Sequence, residues 1–214
     1  MLHQRYKDIC FFVLGKATLP NYWLRKALYS LRSSRPLHLH VGCGPKYLAR
    51  FVNIEINPLQ RSDLWLDVRT GLPFRTGSVD SIYTTHMIEH FYPDELESFL
   101  AESFRVLKPG GGIRIVVPSL GNAIRAFHHG DREWFISYPQ ELESLGGKLS
   151  NYLFCAGQHR AAFDFGYLEE VLHKAGFQEV IESSDGDSII YTDAPIYEPE
   201  SPGRSLFAEA RKIQ

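Results

Sequence analysis

Leu37-His38-Leu39-His40-Val41-Gly42-Cys43-Gly44-Pro45 is the stretch that decides how this chain is read. Leu37, Leu39 and Val41 alternate with histidines at the two-residue period of a strand, and two glycines one residue apart end the run. Glycine enters left-handed backbone conformations at little steric cost, so the strand is predicted to stop and turn sharply here. In open α/β sheets, ligands bind just beyond the carboxyl ends of the strands. The turn is therefore a candidate floor for a ligand site. A Gly-x-Gly pair alone also marks many ordinary loops, so the weight falls on the residues around it.

Working outward, residues 51–56, 64–68 and 79–84 read as three more strands, separated by Asn57-Pro58 and by turn-rich segments around Gly71 and Gly77. A helix follows, with Pro93 in its first turn beside Asp94 and Glu95. Its apolar stripe is Leu96, Phe99, Leu100, Phe104 and Leu107. Lys108-Pro109-Gly110-Gly111-Gly112 stops it, and residues 113–118 form an apolar fifth strand. Residues 119–163 are too long for a strand-to-helix loop and are read as a helical insertion over the site, with helices over 120–128 and 132–145 before Gly146-Gly147. A helix over 165–175 carries Leu168, Val171 and Leu172 inward and ends at Gly176. A sixth strand over 177–183, a polar loop over 184–204 and a last strand over 205–210 complete the domain. Strands interspersed with helices give a Rossmann-like, doubly wound, mostly parallel α/β sheet.

Residues 1–35 read as an N-terminal helical extension to a domain spanning 36–214. Tyr22, Trp23, Leu24, Leu28 and Leu31 recur at helical spacing between Arg25, Lys26 and Arg32, as in an amphipathic helix packed on the domain or on a second subunit. A homodimer is compatible with that face. The apolar run 9–14 is too short to span a membrane and lacks the features of a signal peptide. The net charge of −2 makes no case for a nucleic-acid or anionic-membrane surface. Three widely spaced cysteines, Cys10, Cys43 and Cys155, form no C-x-x-C motif and fit a reducing cytoplasm.

The chemistry is expected where three strand ends meet. An adenosine-type ligand needs backbone N–H groups at a glycine turn, a carboxylate for its ribose hydroxyls and a polar group at the adenine edge. Gly42-Cys43-Gly44, Glu55 and Asp67 stand in that order. Taken singly, Glu55 also reads as a solvated edge residue and Asp67 as a turn-initiating Asp.

Val41-Gly42-Cys43-Gly44, Ile54-Glu55-Ile56-Asn57-Pro58, Leu72-Pro73-Phe74, Ser78-Val79-Asp80-Ser81-Ile82-Tyr83, Glu89-His90 and Arg105-Val106-Leu107-Lys108-Pro109-Gly110-Gly111 together resemble the class I S-adenosylmethionine-dependent methyltransferases, in particular the small bacterial members of their type-11 branch. The resemblance implies a seven-stranded sheet with an antiparallel last strand and S-adenosylmethionine across the ends of strands one to four. It puts Val41, Gly42, Cys43 and Gly44 at the methionine portion, Glu55 and Ile56 at the ribose, Asp67 and Val68 at the adenine, and Thr85 and His86 near the sulfonium. One departure matters. Ten residues separate Gly44 from Glu55, fewer than a helical crossover needs, so residues 45–50 are expected to form a loop closing on the ligand.

The other candidates lie beyond strand four and in the insertion. His86 and His90, one turn apart, suit metal ligation, but no third ligand is apparent nearby and no metal is expected. Tyr152, His159, Arg160 and Asp164 cluster at the end of the insertion. His159 suits a general base for an acceptor hydroxyl, or a lid or substrate contact, with His90, Tyr152 and Arg160 as substrate contacts. Phe127, Trp134, Phe135, Tyr138, Tyr152 and Phe154 are expected to form the insertion's own core, and Cys43 to be a small residue in a tight turn. The reading is an S-adenosylmethionine-dependent methyltransferase acting on a small-molecule or sugar-containing acceptor. The alternative is a non-catalytic S-adenosylmethionine- or S-adenosylhomocysteine-binding regulatory or assembly protein. A nicotinamide oxidoreductase is disfavoured by the missing G-x-G-x-x-G.

Overall fold

Strand ends set the position of everything functional, and in the computed structural model seven strands form one sheet. The structure describes residues 4–30, 36–192 and 203–214. The strands are β1 (His38–Val41), β2 (Val52–Glu55), β3 (Leu64–Trp65), β4 (Val79–Thr85), β5 (Leu107–Pro118), β6 (Gln178–Ser183) and β7 (Ser205–Arg211). Their spatial order is β3-β2-β1-β4-β5-β7-β6. The first five are mutually parallel, and β7 runs antiparallel to both β5 and β6. The helices are α1 (Gln4–Ser30), α2 (Pro93–Val106), α3 (Leu120–His128), α4 (Leu145–Phe154) and α5 (Phe165–Lys174). The order reverses between β1 and β4, so the crevice beyond those strands is the natural ligand position.

Burial follows the predicted periodicities. Leu39, Val41, Ile54, Ile82, Ile113 and Ile115 are fully buried, in one cluster with Phe99 and Leu100 of α2 and Leu168 and Leu172 of α5. Helix α2 begins with Pro93, and Glu95 Oε2 accepts the Tyr92 N–H at 2.9 Å, satisfying an otherwise orphaned donor.

No helix joins β1 to β2. In its place Asn53, fully buried on β2, ties the loop down through its side chain. Its Nδ2 donates to Leu48 O (2.9 Å), Phe51 O (3.0 Å) and Asp63 Oδ2 (3.0 Å), while Oδ1 accepts from Leu48 N at 2.9 Å. An apolar isostere would leave these groups buried and unpaired. Asn53→Leu is expected to cost about 3 kcal/mol of unfolding free energy in urea titrations. Beside it, His40 Nδ1 lies 3.2 Å from Asn53 Oδ1, and burial lowers the imidazole to about 4. The folded state thus refuses a proton that the unfolded chain accepts. Stability from His40 is complete above pH 6.5 and falls as the pH drops from about 6.5 to about 4. The expected result is a denaturation midpoint that declines across this window and is flatter in His40→Gln.

Four predicted boundaries are corrected. The helix expected over 132–145 does not form, because Pro139 has no N–H to donate and Asn151 Nδ2 holds the Tyr138 and Gln140 carbonyls at 2.8 and 2.9 Å in an irregular path. Helix α4 starts instead at Leu145, with Ser144 Oγ accepting Gly147 N at 3.1 Å, so Gly146-Gly147 open a helix rather than follow one. The third strand stops at Trp65, and Asp67 caps a turn over Val68–Thr70. The fifth strand begins earlier, at Leu107, through a bulge where Gly110 has φ +79° and a Cβ on Gly111 would lie 2.8 Å from the Asp80 carbonyl.

Helix α1 packs on the domain, though only in part by the face its apolar residues mark. The face laid on the domain carries Gly15, Thr18, Asn21 and Tyr22, whereas Trp23, Leu24 and Leu28 point outward, 49–63% exposed. Leu31 and Arg32 lie outside the described residues, as do residues 193–202 of the predicted loop. Among the described residues no helix is long and apolar enough to cross a membrane.

Candidate active site

The glycine turn after β1 is built from backbone. Gly42 and Gly44 have φ of +68° and +49°, and Gly42 N and Cys43 N both donate to Ile54 O, at 2.9 and 3.1 Å. A Cβ on Gly42 would stand 2.4 Å from the Met87 side chain, so strand β4's outgoing turn closes directly on this one. Glu55, at the end of β2, bridges the two neighbouring loops: Oε2 accepts Gly44 N at 2.9 Å and Oε1 accepts Asn57 N at 2.8 Å. Each oxygen keeps a further lone pair for a hydroxyl. The Cys43 thiol is buried and raised to about 11, by burial first and by Glu55 and Asp63 next. It is a filler of the turn and no nucleophile.

A cavity of about 690 Å³ opens from this turn, a volume suited to a cofactor-sized ligand. Gly42, Gly44, Glu55, Ile56, Asp67, Val68 and His86 line it, as do His90 and Arg160. Asp67 is held in a two-pronged pair with Arg69, Oδ1 to Nε and Oδ2 to Nη2, each 2.9 Å. Val41 is wholly buried and lies outside the lining, and so do Cys43 and Thr85. Helix α1 supplies further lining, through Phe11, Phe12, Gly15, Lys16 and Leu19. Thr18 Oγ1 accepts Asp67 N at 3.2 Å, Asn21 Nδ2 donates to Trp65 O at 2.6 Å, and a Cβ on Gly15 would lie 2.4 Å from Asp67 Oδ2. The helix can approach only because residue 15 has no side chain.

Past β4 the chain turns through His86, a non-glycine residue at φ +48°. Its Nε2 stands 3.3 Å from Ser205 Oγ and its Nδ1 3.5 Å from Glu89 Oε1. Glu89 is 1% exposed, and neither of its carboxylate oxygens has a hydrogen-bond partner among the described residues. Burial alone would raise this carboxyl, but the imidazoles of His86, His90 and His159 around it outweigh that and hold it below the usual carboxylate range. Glu89 O accepts Arg160 N at 2.7 Å and Ala161 N at 3.2 Å, which seats the end of the insertion against this wall.

Residues 39–115 match the methyltransferase-domain family Methyltransf_11. The chain carries a class I S-adenosylmethionine-dependent methyltransferase domain. It is similar to a probable S-adenosylmethionine-dependent methyltransferase of Mycolicibacterium smegmatis, 28% identical over 203 residues that cover 82% of this chain and 74% of that protein. Two solved structures share the fold. One is a Thermotoga maritima methyltransferase described as a possible histamine N-methyltransferase (TM-score 0.50, 16% identity, 97% of this chain and 95% of that one). The other is a Haemonchus contortus phosphoethanolamine N-methyltransferase in complex with S-adenosylmethionine (TM-score 0.51, 13% identity, 92% of this chain and 53% of that one).

The cofactor of the methyltransferase is S-adenosylmethionine. The residues lining this cavity fit its needs, with a glycine turn free of side chains, the Glu55 carboxylate and Asp67 among them. Two insertion residues expected at the substrate do not line the cavity. Tyr152 is buried in the insertion's core against Trp134 and Phe135, its hydroxyl donating to Arg204 O at 2.5 Å, and burial raises its pKa. His159 stands behind His90, ring centroids 5.1 Å apart, with Nδ1 donating to Leu153 O at 3.0 Å. Of the aromatics assigned to that core, Phe127, Tyr138 and Phe154 are instead 41–59% exposed. The contribution of α1 to the cavity was not anticipated, although Gly15 and Thr18, small residues three apart, mark a face that can approach closely. The sequence marks Glu89 only as part of the Glu89-His90 motif and assigns it no role of its own.

Proposed function

We propose that this methyltransferase acts on a small hydroxyl-bearing acceptor, such as a sugar-containing precursor, that enters between His86, His90 and Arg160. The supporting observation is that one cavity is lined both by the glycine turn and Glu55 and by these polar side chains. S-adenosylmethionine supplies an activated methyl group on sulfur, so positioning the acceptor contributes most of the rate and little side-chain chemistry is required. Arg160 lies with its guanidinium 5.0 Å over the Tyr92 ring, a placement that suits a hydroxylated or anionic acceptor. His159, one ring back, supports this wall. The outward Trp23, Leu24 and Leu28 face of α1 is assigned to a second subunit.

Transfer of labelled methyl from S-adenosylmethionine to panels of hydroxyl, amine and thiol acceptors tests the reading. It predicts label in the hydroxyl panel, reduced about tenfold or more in kcat/KM by Arg160→Ala. Label appearing only in amines or thiols would contradict the acceptor class. Cofactor binding with no transfer to any panel would favour the regulatory alternative.

A further inference from the structure

Glu89, His90 and His159 each place a potential ligand atom within 4.8 Å of the other two. Their hydrogen bonds settle which ring atoms are available. His90 Nδ1 faces Gln158 O at 3.1 Å and His159 Nδ1 faces Leu153 O at 3.0 Å. A carbonyl oxygen can only accept, so each Nδ1 carries a proton, and in the neutral ring each Nε2 offers a lone pair. This is the arrangement by which protein backbones orient metal-binding imidazoles. The third group is a carboxylate 1% exposed whose two oxygens have no hydrogen-bond partner among the described residues. With both rings neutral, three acceptors therefore converge, and His86 Nδ1 stands beside them 3.5 Å from Glu89 Oε1. A shared proton pairs only two of these groups and leaves a third to solvent, His90 being exposed and His159 half-buried, whereas a divalent cation engages all three.

We propose that Glu89, His90 and His159 bind a divalent transition cation of the Zn²⁺ class at the acceptor wall of the cavity. Two imidazoles and one carboxylate select zinc, cobalt or nickel over magnesium or calcium, which demand oxygen ligands. Ligands of a tetrahedral zinc stand about 3.3 Å apart, so the triad closes by up to about 1.5 Å on binding. Three protein ligands leave a fourth position open. His90 borders both the triad and the cavity, so an acceptor oxygen can take that position. This last use rests on the function proposed above, whereas the site itself rests on the side chains alone. Bound there, an acceptor hydroxyl loses its proton to water more readily, and its oxygen is left free to take the methyl group.

The experiment uses the full chain, freed of metal with chelator, and titrates CoCl2 while recording ligand-field absorption. S-adenosylhomocysteine affinity is measured on the same samples. One cobalt per chain is expected, displaced by zinc, with affinity falling about tenfold or more in Glu89→Gln and His159→Ala. The exposed pair His128-His129 is the control for adventitious binding. Cobalt bound equally well by the His90→Ala/His159→Ala double variant, but lost in His128→Ala/His129→Ala, would overturn the site. So would absence of cobalt binding in wild type that binds S-adenosylhomocysteine. Cobalt bound at the triad without S-adenosylhomocysteine binding would uphold the metal site and remove the methyltransferase reading.

Discussion

Glu55→Ala is expected to weaken S-adenosylhomocysteine binding by about 2–3 kcal/mol, roughly 30- to 160-fold. Two losses add. The carboxylate now holds Gly44 N and Asn57 N at 2.9 and 2.8 Å, so its removal frees both loops that shape this end of the cavity. On the proposed placement of the cofactor it also removes the acceptor for the ribose hydroxyls. Adenine, which has no ribose, separates the two contributions: a loss confined to ribose-bearing ligands assigns the carboxylate to the hydroxyls, and an equal loss for adenine assigns it to the loops. Calorimetric titration of both ligands against wild type, Glu55→Gln and Glu55→Ala gives the comparison. Unchanged affinity for S-adenosylhomocysteine in Glu55→Ala would remove Glu55 from the site.

The largest expected effect on stability lies on the other half of the sheet. Arg114 on β5 and Glu209 on β7 are register partners, both fully buried, with Nη1 2.9 Å from Oε1. The guanidinium also donates to Ser183 Oγ (2.9 Å), Asp187 O (2.8 Å) and Ser184 O (2.7 Å), and Glu209 Oε2 accepts Ile189 N at 2.7 Å. The pair thereby folds the segment after β6 back over the sheet. Arg114→Met leaves a buried carboxylate without its cation and is expected to cost about 3–5 kcal/mol. The double variant Arg114→Met/Glu209→Leu should lose less than the sum of its parts, because neither charge is then stranded. Urea unfolding of the three variants measures both quantities, and strict additivity would contradict the account.

The parts of this fold legible in the sequence were those carried by local pattern. Alternation at Leu39 and Val41, the glycines after them and the carboxylates ending the next strands all act within a few residues, so Gly42, Glu55 and Asp67 could be placed at one crevice before any coordinates. The short link between β1 and β2 was legible from its length alone, but not that Asn53 would replace the missing helix, since that depends on which groups the loop brings to it. Residues 132–145 carry apolar residues at helical spacing, yet Pro139 and the distant Asn151 amide prevail over that period. The wall formed by α1 depends on Gly15 meeting Asp67, a contact that no local pattern encodes. The surroundings of Glu89 were hidden for a related reason: His159 comes beside Glu89 and His90 only when the insertion docks on the turn after β4.

Isothermal titration of the purified chain with S-adenosylhomocysteine, beside NADH, bears most directly on the central claim. The account predicts one saturable site per chain for S-adenosylhomocysteine and none for NADH. A chain that unfolds cooperatively yet takes up no S-adenosylhomocysteine, or prefers NADH, would contradict it.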